Sequence, residues 1–147
     1  MSKKRSRARS RAIQAIYQWQ MTGQEIGEIC EQFIAEHPMD GVDVDYFREL
    51  VHGVVTQHYA LDDQLTPFLD RDLQAVDPVE RAILRLGAYE LVRRPEIPYR
   101  VIINEAVELA KSFGGEAGHK YVNGILDKVA LKVRNQEVSM SRKEKGG

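Results

Sequence analysis

The sequence has 147 residues, of which 43% are hydrophobic and 29% are charged, a composition typical of one globular domain. No apolar run approaches the roughly 20 residues that a membrane-spanning helix needs, and no apolar core follows the basic N-terminus as in a secretory signal. The single cysteine, Cys30, excludes an intrachain disulfide, and together these features predict a cytoplasmic protein with no membrane association.

The net charge of −1 is divided unevenly along the chain. Residues 1–11 hold two Lys and four Arg with no acid, and residues 132–147 hold five bases and two acids. The segment between them therefore carries a net charge of −10. Basic ends suit phosphate groups and an acidic body suits a basic protein, so this distribution predicts two different partners.

The N-terminal stretch predicts a first helix from about Ser6 or earlier to Met21, ending before Gly23. One face of this helix is apolar, and the opposite face carries polar residues at helical spacing: Lys3, Arg7, Ser10, Gln14 and Gln18, with Tyr17 at the border. Bases and amides beside an aromatic ring are typical of a nucleic-acid surface. From composition alone, a frayed and solvated basic terminus is an equally good interpretation.

A second helix is predicted over about residues 24–36, and Asp43 is a good N-cap for a third over about 44–59. His52 and His58 lie six residues apart on the third helix and face different sides, so they predict no metal site. A short helix follows over about 60–69 and an irregular connector over 70–76. Phe68 in that short helix is either a core residue or an exposed platform.

Asp77, Pro78 and Glu80 predict the start of the next helix, over about 78–93: Asp77 caps it, Pro78 suits the first turn, and Glu80 can close a capping box. Its apolar residues occupy more than one face, which predicts a central position in the fold.

Residues 97–130 predict two further helices joined at Gly114 and Gly115, because glycine commonly supplies the left-handed residue that ends a helix. Lys120 and Tyr121 lie at the rim of the second helix's apolar face. The polar segment 135–147 has no apolar period and is predicted to be a disordered basic tail. The domain is thus expected over 1–134, with subdomains at about 1–76 and 77–134.

The motifs of several enzyme and cofactor classes are missing. The sequence has no GxGxxG or P-loop for a nucleotide, and no HExxH or CxxC for a metal. We therefore expect no cofactor, no metal and no catalytic activity.

Three stretches carry a resemblance to a known family. NEAVELAKSFGG followed by HKYVNGILDKVA is similar to the C-terminal half of the NusB family of bacterial transcription antitermination factors, and RARSRAIQAIYQWQM resembles its first helix. The resemblance covers residues 3–134. It implies an all-α fold of about seven helices in two packed helical subdomains. It also implies binding of the boxA element of nascent rRNA transcripts, as single-stranded RNA, together with the ribosomal protein NusE. The pair would join other Nus factors on RNA polymerase.

The resemblance also suggests which residues bind. RNA binding is expected at Lys3, Lys4, Arg5, Arg7, Arg9, Gln14, Tyr17, Phe68, Phe113, Lys120 and Tyr121. The bases would meet phosphates and the rings would stack on unpaired bases. The protein partner is expected at Glu80, Arg81, Tyr99 and Glu105.

Two other classes of function stay open. One is the RNA-binding module of an rRNA-modifying system, such as a methyltransferase, although 147 residues leave no room for a cofactor-binding domain. The other is a structural helical module that dimerises through its first helix.

Overall fold

The computed structural model describes residues 2–113 and 117–146, and within these ranges the protein is all-α with no strand. Two 3-10 helices, Thr66–Phe68 and Leu73–Ala75, precede the central helix. The α-helices are α1 (Lys3–Thr22), α2 (Ile26–Glu36), α3 (Val44–Thr56), α4 (His58–Leu65), α5 (Pro78–Arg93), α6 (Tyr99–Phe113), α7 (Gly118–Val133) and α8 (Asn135–Gly146). The predicted fold class is confirmed, with eight α-helices described where about seven were predicted.

Two local signals set the length of α1. Ser2 Oγ accepts a hydrogen bond from Arg5 N and so caps the start of the helix. Gly23 ends it in the left-handed conformation, with φ at 69°, and its N–H donates to the carbonyl of Trp19. The helix therefore has 20 residues and a length of about 30 Å.

The predicted caps of α3 and α5 are present. Asp43 Oδ1 accepts from Tyr46 N, and Asp77 Oδ1 accepts from the backbone N–H groups of Val79 and Glu80. The predicted third helix is interrupted at Gln57, so that α3 ends at Thr56 and α4 begins at His58. The predicted connector at residues 114–115 lies outside the described residues.

The α5 helix is central, as its apolar pattern predicted. Every residue from 81 to 91 is buried, because α5 packs against α1, α3, α4, α6 and α7. Packing is close enough at one crossing that a Cβ on Gly87 would lie 2.7 Å from Leu126 Cδ1 of α7. The α5 helix begins just after the predicted subdomain boundary at residue 76, yet it packs against helices from both predicted subdomains. The division into subdomains therefore stays a prediction.

The C-terminal segment differs from the prediction of a disordered tail, since it forms α8. Arg134 explains this, because its buried guanidinium donates to the carbonyls of Glu90, Leu91, Arg94 and Ile97 at the corner between α5 and α6. Glu137 then accepts from Tyr99 N at the start of α6, and Val138 is buried in the core. These polar contacts anchor a segment that has too few apolar residues to show a helical period.

None of the described helices combines the length and the apolar character that crossing a bilayer requires.

Candidate nucleic-acid interface

The exposed face of α1 carries a stripe of side chains that are basic at the N-terminal end of the helix and apolar at its C-terminal end. Lys3 and Arg7 are exposed at its basic end, Gln14 is half-buried, and Tyr17 is 39% exposed. Residues three and four positions apart share a helix face, so these four side chains lie in one row. This is the arrangement that the polar spacing of the sequence predicted.

An apolar groove of about 520 Å³ lies at the far end of this stripe, between α1 and the ends of α2, α5 and α6. It brings together three of the predicted RNA-binding residues, Gln14, Tyr17 and Phe113. Phe113 is 42% exposed and Met21 is 55% exposed, so the groove presents large apolar side chains to solvent. Such a surface offers rings for stacking next to an amide for hydrogen bonding.

The basic end of α1 follows the loop between α2 and α3. Arg7 Nη1 donates to Gly41 O at 3.2 Å, and Arg11 Nη2 donates to Pro38 O at 3.1 Å. Arg5 lies 3.9 Å from an Asp43 carboxylate oxygen, with its guanidinium 4.4 Å from the centre of the Tyr46 ring. Lys4, like Lys3, is exposed. The predicted phosphate-binding bases, other than Arg9, therefore lie at the surface or close to it.

Arg9 is a correction, because its side chain is only 2% exposed. Its Nε and Nη2 donate to both carboxylate oxygens of Glu90 at 2.8 to 3.0 Å, and its Nη1 donates to Glu105 at 3.3 Å. Burial lowers the pKa of Arg9, but the hydrogen bonds and charge of Glu90 outweigh it and raise the pKa overall. The guanidinium is thus committed to two carboxylates inside the protein and does not reach a phosphate.

This buried cluster also explains how α1 is held. The Tyr46 hydroxyl of α3 donates to Glu90 Oε2 of α5, and Ser6 Oγ of α1 donates to Glu105 of α6. Burial and the neighbouring Glu90 charge raise the pKa of Tyr46, so the hydroxyl keeps its proton. Four helices therefore meet at one polar cluster that orients the basic end of α1.

A second aromatic position lies on α7. The Tyr121 hydroxyl donates to Asp70 Oδ1 at 2.9 Å, and the Arg71 guanidinium lies 5.2 Å from the centre of the Tyr121 ring. Hydrogen bonds from Arg71 and then Tyr121 lower the pKa of Asp70 to about 2. Lys120 beside it is exposed. Asp70 and Arg71 were not predicted as part of this position, since they fall in the connector that was predicted to be irregular.

Phe68 is half-buried and packs against the core, which favours the core alternative for this residue. A stacking role for Phe68 stays a prediction.

The four residues predicted for a protein partner do not form one surface. Glu80 is half-buried, and its carboxylate lies so close to α7 that a Cβ on Gly118 would be 3.1 Å from its Oε2. The predicted capping box is not formed, since no hydrogen bond among the described residues joins this carboxylate to Asp77 N. Burial, followed by the charge of Asp77, raises the pKa of Glu80. Glu105 belongs to the Arg9 cluster. Arg81 and Tyr99 are each only 6% exposed, which corrects the expectation that they form an open docking surface.

Within the described part of the chain, no group of three or more His, Cys, Asp or Glu side chains is arranged to hold a metal ion.

Solved structures with the same fold include NusB proteins. The NusB of T. maritima superposes with a TM-score of 0.82 and 29% sequence identity, covering 95% of this chain and 99% of that one. A crystal structure of the antitermination factors NusB and NusE in complex with dsRNA gives a TM-score of 0.79 and 27% identity, over 88% of this chain and 97% of the matched one.

Sequence relatives agree with the fold. The transcription antitermination protein NusB of Nitrosococcus oceani is 58% identical over 137 residues, which is 93% of this chain and 92% of that protein. The protein of the same name from Shewanella piezotolerans is 55% identical over 130 residues, 88% of this chain and 96% of the other. The sequence model described as the NusB family matches residues 6–131. The chain therefore belongs to the NusB family.

Proposed function

We propose that the chain is an RNA-binding transcription antitermination factor that binds the boxA element of nascent rRNA transcripts together with the ribosomal protein NusE. The observation that carries this proposal is the stripe on α1, which leads from the exposed bases Lys3 and Arg7 to the groove lined by Tyr17 and Phe113. Relatives named transcription antitermination proteins support the role. A solved complex of NusB and NusE with dsRNA supports the two partners, and the preference for a single strand rests on the geometry of the α1 stripe alone.

The geometry supports single-stranded RNA as the ligand. Lys3 and Tyr17 are 14 positions apart on α1, which corresponds to about 21 Å along the helix axis. Phosphates bind at the basic end of this stripe, and unstacked bases enter the apolar groove beside Tyr17 and Phe113. Bases in a duplex are stacked on each other, so they are not available to the two rings in this way.

The charge distribution supports a separate surface for NusE. The net charge of −10 between residues 12 and 131 favours a basic protein, and ribosomal proteins are typically basic because they neutralise rRNA. Glu80, at the start of α5, is our candidate contact. The complex then joins other Nus factors on RNA polymerase, so the mechanism is tethering and not catalysis, and the location is the cytoplasm, where transcription takes place.

The test is a titration of a fluorescently labelled single-stranded boxA RNA into the protein and two matched variants. Tyr17→Ala removes a ring from the groove, and we expect a loss of about 1–3 kcal/mol in binding with little change in melting temperature. Tyr59→Ala is the control, because Tyr59 is 78% exposed on a different surface, and its RNA affinity should equal that of the wild type.

Equal losses in both variants, or no loss in Tyr17→Ala, would remove the groove from the RNA site. A duplex of the same sequence should bind more weakly than the single strand. Light scattering on the same samples tests the alternative of a structural dimer: a dimer that RNA leaves unchanged would contradict the proposal, since the exposed side of α1 would then be covered.

A further inference from the structure

A second pocket lies on another face of the protein, between the C-terminal part of α1, α4 and the first half of α5. Its volume is about 340 Å³, and its lining includes Trp19, Tyr59, Asp62, Arg81 and Arg85. It shares no lining residue with the groove at Tyr17 and Phe113. The RNA role proposed above makes no use of this pocket.

The two guanidiniums in the pocket differ in how well they are paired. Arg85 donates from Nε and Nη2 to the two carboxylate oxygens of Asp62, both at 2.9 Å, and from Nη1 to Gln20. Arg81 donates only from Nη1, to the carbonyls of Leu73 at 3.4 Å and Gln74 at 3.2 Å. Its Nε is buried and has no acceptor, and no carboxylate among the described residues lies within ion-pair distance of it.

Arg81 is thus a buried cation that forms no ion pair among the described residues, and the charges of Asp62 and Asp77 only partly offset its burial. The side chain is 94% buried, given its exposed fraction of 6%, and a buried charge is costly unless it is paired. Burial, followed by repulsion from Arg85, lowers the pKa of Arg81. An anion that entered the pocket would pair with this guanidinium and compensate its buried charge.

Aromatic rings form the outer wall of the pocket. Tyr59 is 78% exposed, its ring centre lies 4.1 Å from that of His58, and the His58 ring centre lies 4.9 Å from that of Trp19. Tyrosine, tryptophan and arginine are the residues most enriched at the centres of protein–protein interfaces. An aromatic wall with the exposed Tyr59 at its outer edge, next to a buried guanidinium, therefore resembles the centre of a protein-binding surface.

We propose that this pocket binds the carboxylate of an acidic side chain presented by a protein partner, with Arg81 as the group that recognises it. The guanidinium fork matches the geometry of a carboxylate, whose two oxygens can accept from two of its N–H groups together. A protein can present one carboxylate within a neutral or basic surface. An RNA strand would bring further phosphates towards Asp62 at the pocket and Asp77 nearby, so like charges oppose RNA here.

Two resonances in the full-length protein report on the pocket: the Nε–H of Arg81, and the indole N–H of Trp19, the only tryptophan in the chain. The probe is acetyl-aspartate amide, its neutral control is acetyl-asparagine amide, and ionic strength is held constant. We expect both resonances to shift in a saturable manner with the aspartate probe, with a dissociation constant on the order of 10 mM for this single group. The asparagine control should leave both resonances unshifted. Equal shifts with both probes, or no shift with either, would overturn the proposal.

Inorganic phosphate and single-stranded boxA RNA distinguish the possible sources of the anion. Phosphate should bind more weakly than the aspartate probe, and RNA should leave the Trp19 indole resonance in place. Tighter binding of phosphate, or saturation of the pocket by RNA, would show that the pocket binds a nucleic-acid phosphate and not a protein side chain. Either result would overturn this inference.

Variants separate binding from folding. Arg81→Gln removes the charge and should weaken the aspartate probe by about tenfold, as read from the Trp19 resonance, whereas Arg93→Gln at the exposed end of α5 should not. Tyr59→Ala should weaken the probe without lowering the melting temperature, because that ring is mostly exposed. RNA affinity should be unchanged in all three variants, so failure here is distinguishable from failure of the proposed RNA role. Unchanged probe affinity in both Arg81→Gln and Tyr59→Ala would refute the assignment.

Discussion

The strongest prediction for stability concerns the buried cluster around Glu90. Its carboxylate accepts from Nε and Nη2 of Arg9 at 2.8 to 3.0 Å and from the Tyr46 hydroxyl, and its side chain is 1% exposed. Glu90→Gln keeps the shape and removes the charge, which leaves Arg9 buried with Glu105 as its remaining anion, at 3.3 Å. Breaking a buried ion pair costs about 3–5 kcal/mol, and Glu105 should hold the loss near the lower end of that range, about 3 kcal/mol.

Urea unfolding followed by circular dichroism measures this loss as a lower midpoint at unchanged slope, and the melting temperature should fall by about 10 °C. Glu105→Gln is the matched control. Its side chain is 12% exposed and makes the longer contact with Arg9, so we expect a smaller loss than for Glu90→Gln. The double variant Arg9→Met with Glu90→Gln no longer contains the unpaired buried charge. Its loss of unfolding free energy should therefore be well below the sum of the losses in Arg9→Met alone and Glu90→Gln alone.

A loss below about 1 kcal/mol for Glu90→Gln would refute this reasoning, because it would mean that water or another group pairs with Arg9 when Glu90 is removed. Additive losses in the double variant would do the same, since they would show that the two side chains stabilise the protein independently.

Three further predictions concern RNA, the partner and pH. If the five bases of residues 1–11 other than the buried Arg9 neutralise phosphates of a single strand, log affinity should fall against log salt with a slope of about −3.5. Arg5→Ala with Arg7→Ala should flatten that slope by about 1.4, and an unchanged slope contradicts this. Glu80→Lys should weaken NusE binding in calorimetry, whereas a purely structural role for Glu80 predicts unchanged affinity and lower stability. Burial, and then the charge of Glu49, raise the pKa of Tyr89 to about 12 from 10.0, so the folded state holds this proton more tightly than the unfolded state. The resulting stability is complete below pH 10 and is lost as the pH rises through about 12, and Tyr89→Phe should lack this loss in alkaline unfolding curves.

Features that depend on local sequence were predicted well. Asp43 and Asp77 cap helices through hydrogen bonds within three residues, and the burial of α5 follows from apolar residues on several of its faces. The same holds for the α1 stripe, because its spacing of three and four residues places Lys3 and Tyr17 on one face. These are properties of a single helix and need no knowledge of its neighbours.

Arg9 shows why the rest of the site was not predicted. Its carboxylate partners lie 81 and 96 positions away, on α5 and α6, and no pattern within α1 identifies them. One signal was present, since Arg9 lies four and seven positions before Ile13 and Ile16 and therefore shares their buried face. Charge alone suggested phosphate binding, although position suggested burial. The burial of Tyr99, which was predicted to contact a protein partner, was not predicted for a related reason, since the partner of its backbone N–H is Glu137, 38 positions away on α8.

The contacts of Arg134 bear on the order in which the chain is synthesised. Its guanidinium occupies four carbonyls at the corner between α5 and α6, and the acceptor at Ile97 precedes it by 37 positions. The ribosome must therefore add α6 and α7 before this corner has its hydrogen-bond donors. Until then the Glu90 and Arg94 carbonyls accept only from the backbone N–H groups of Arg94 and Ile97, and the Leu91 and Ile97 carbonyls depend on water. The corner between α5 and α6 therefore gains its full set of hydrogen bonds only after α7 is made, although the central helix is made much earlier.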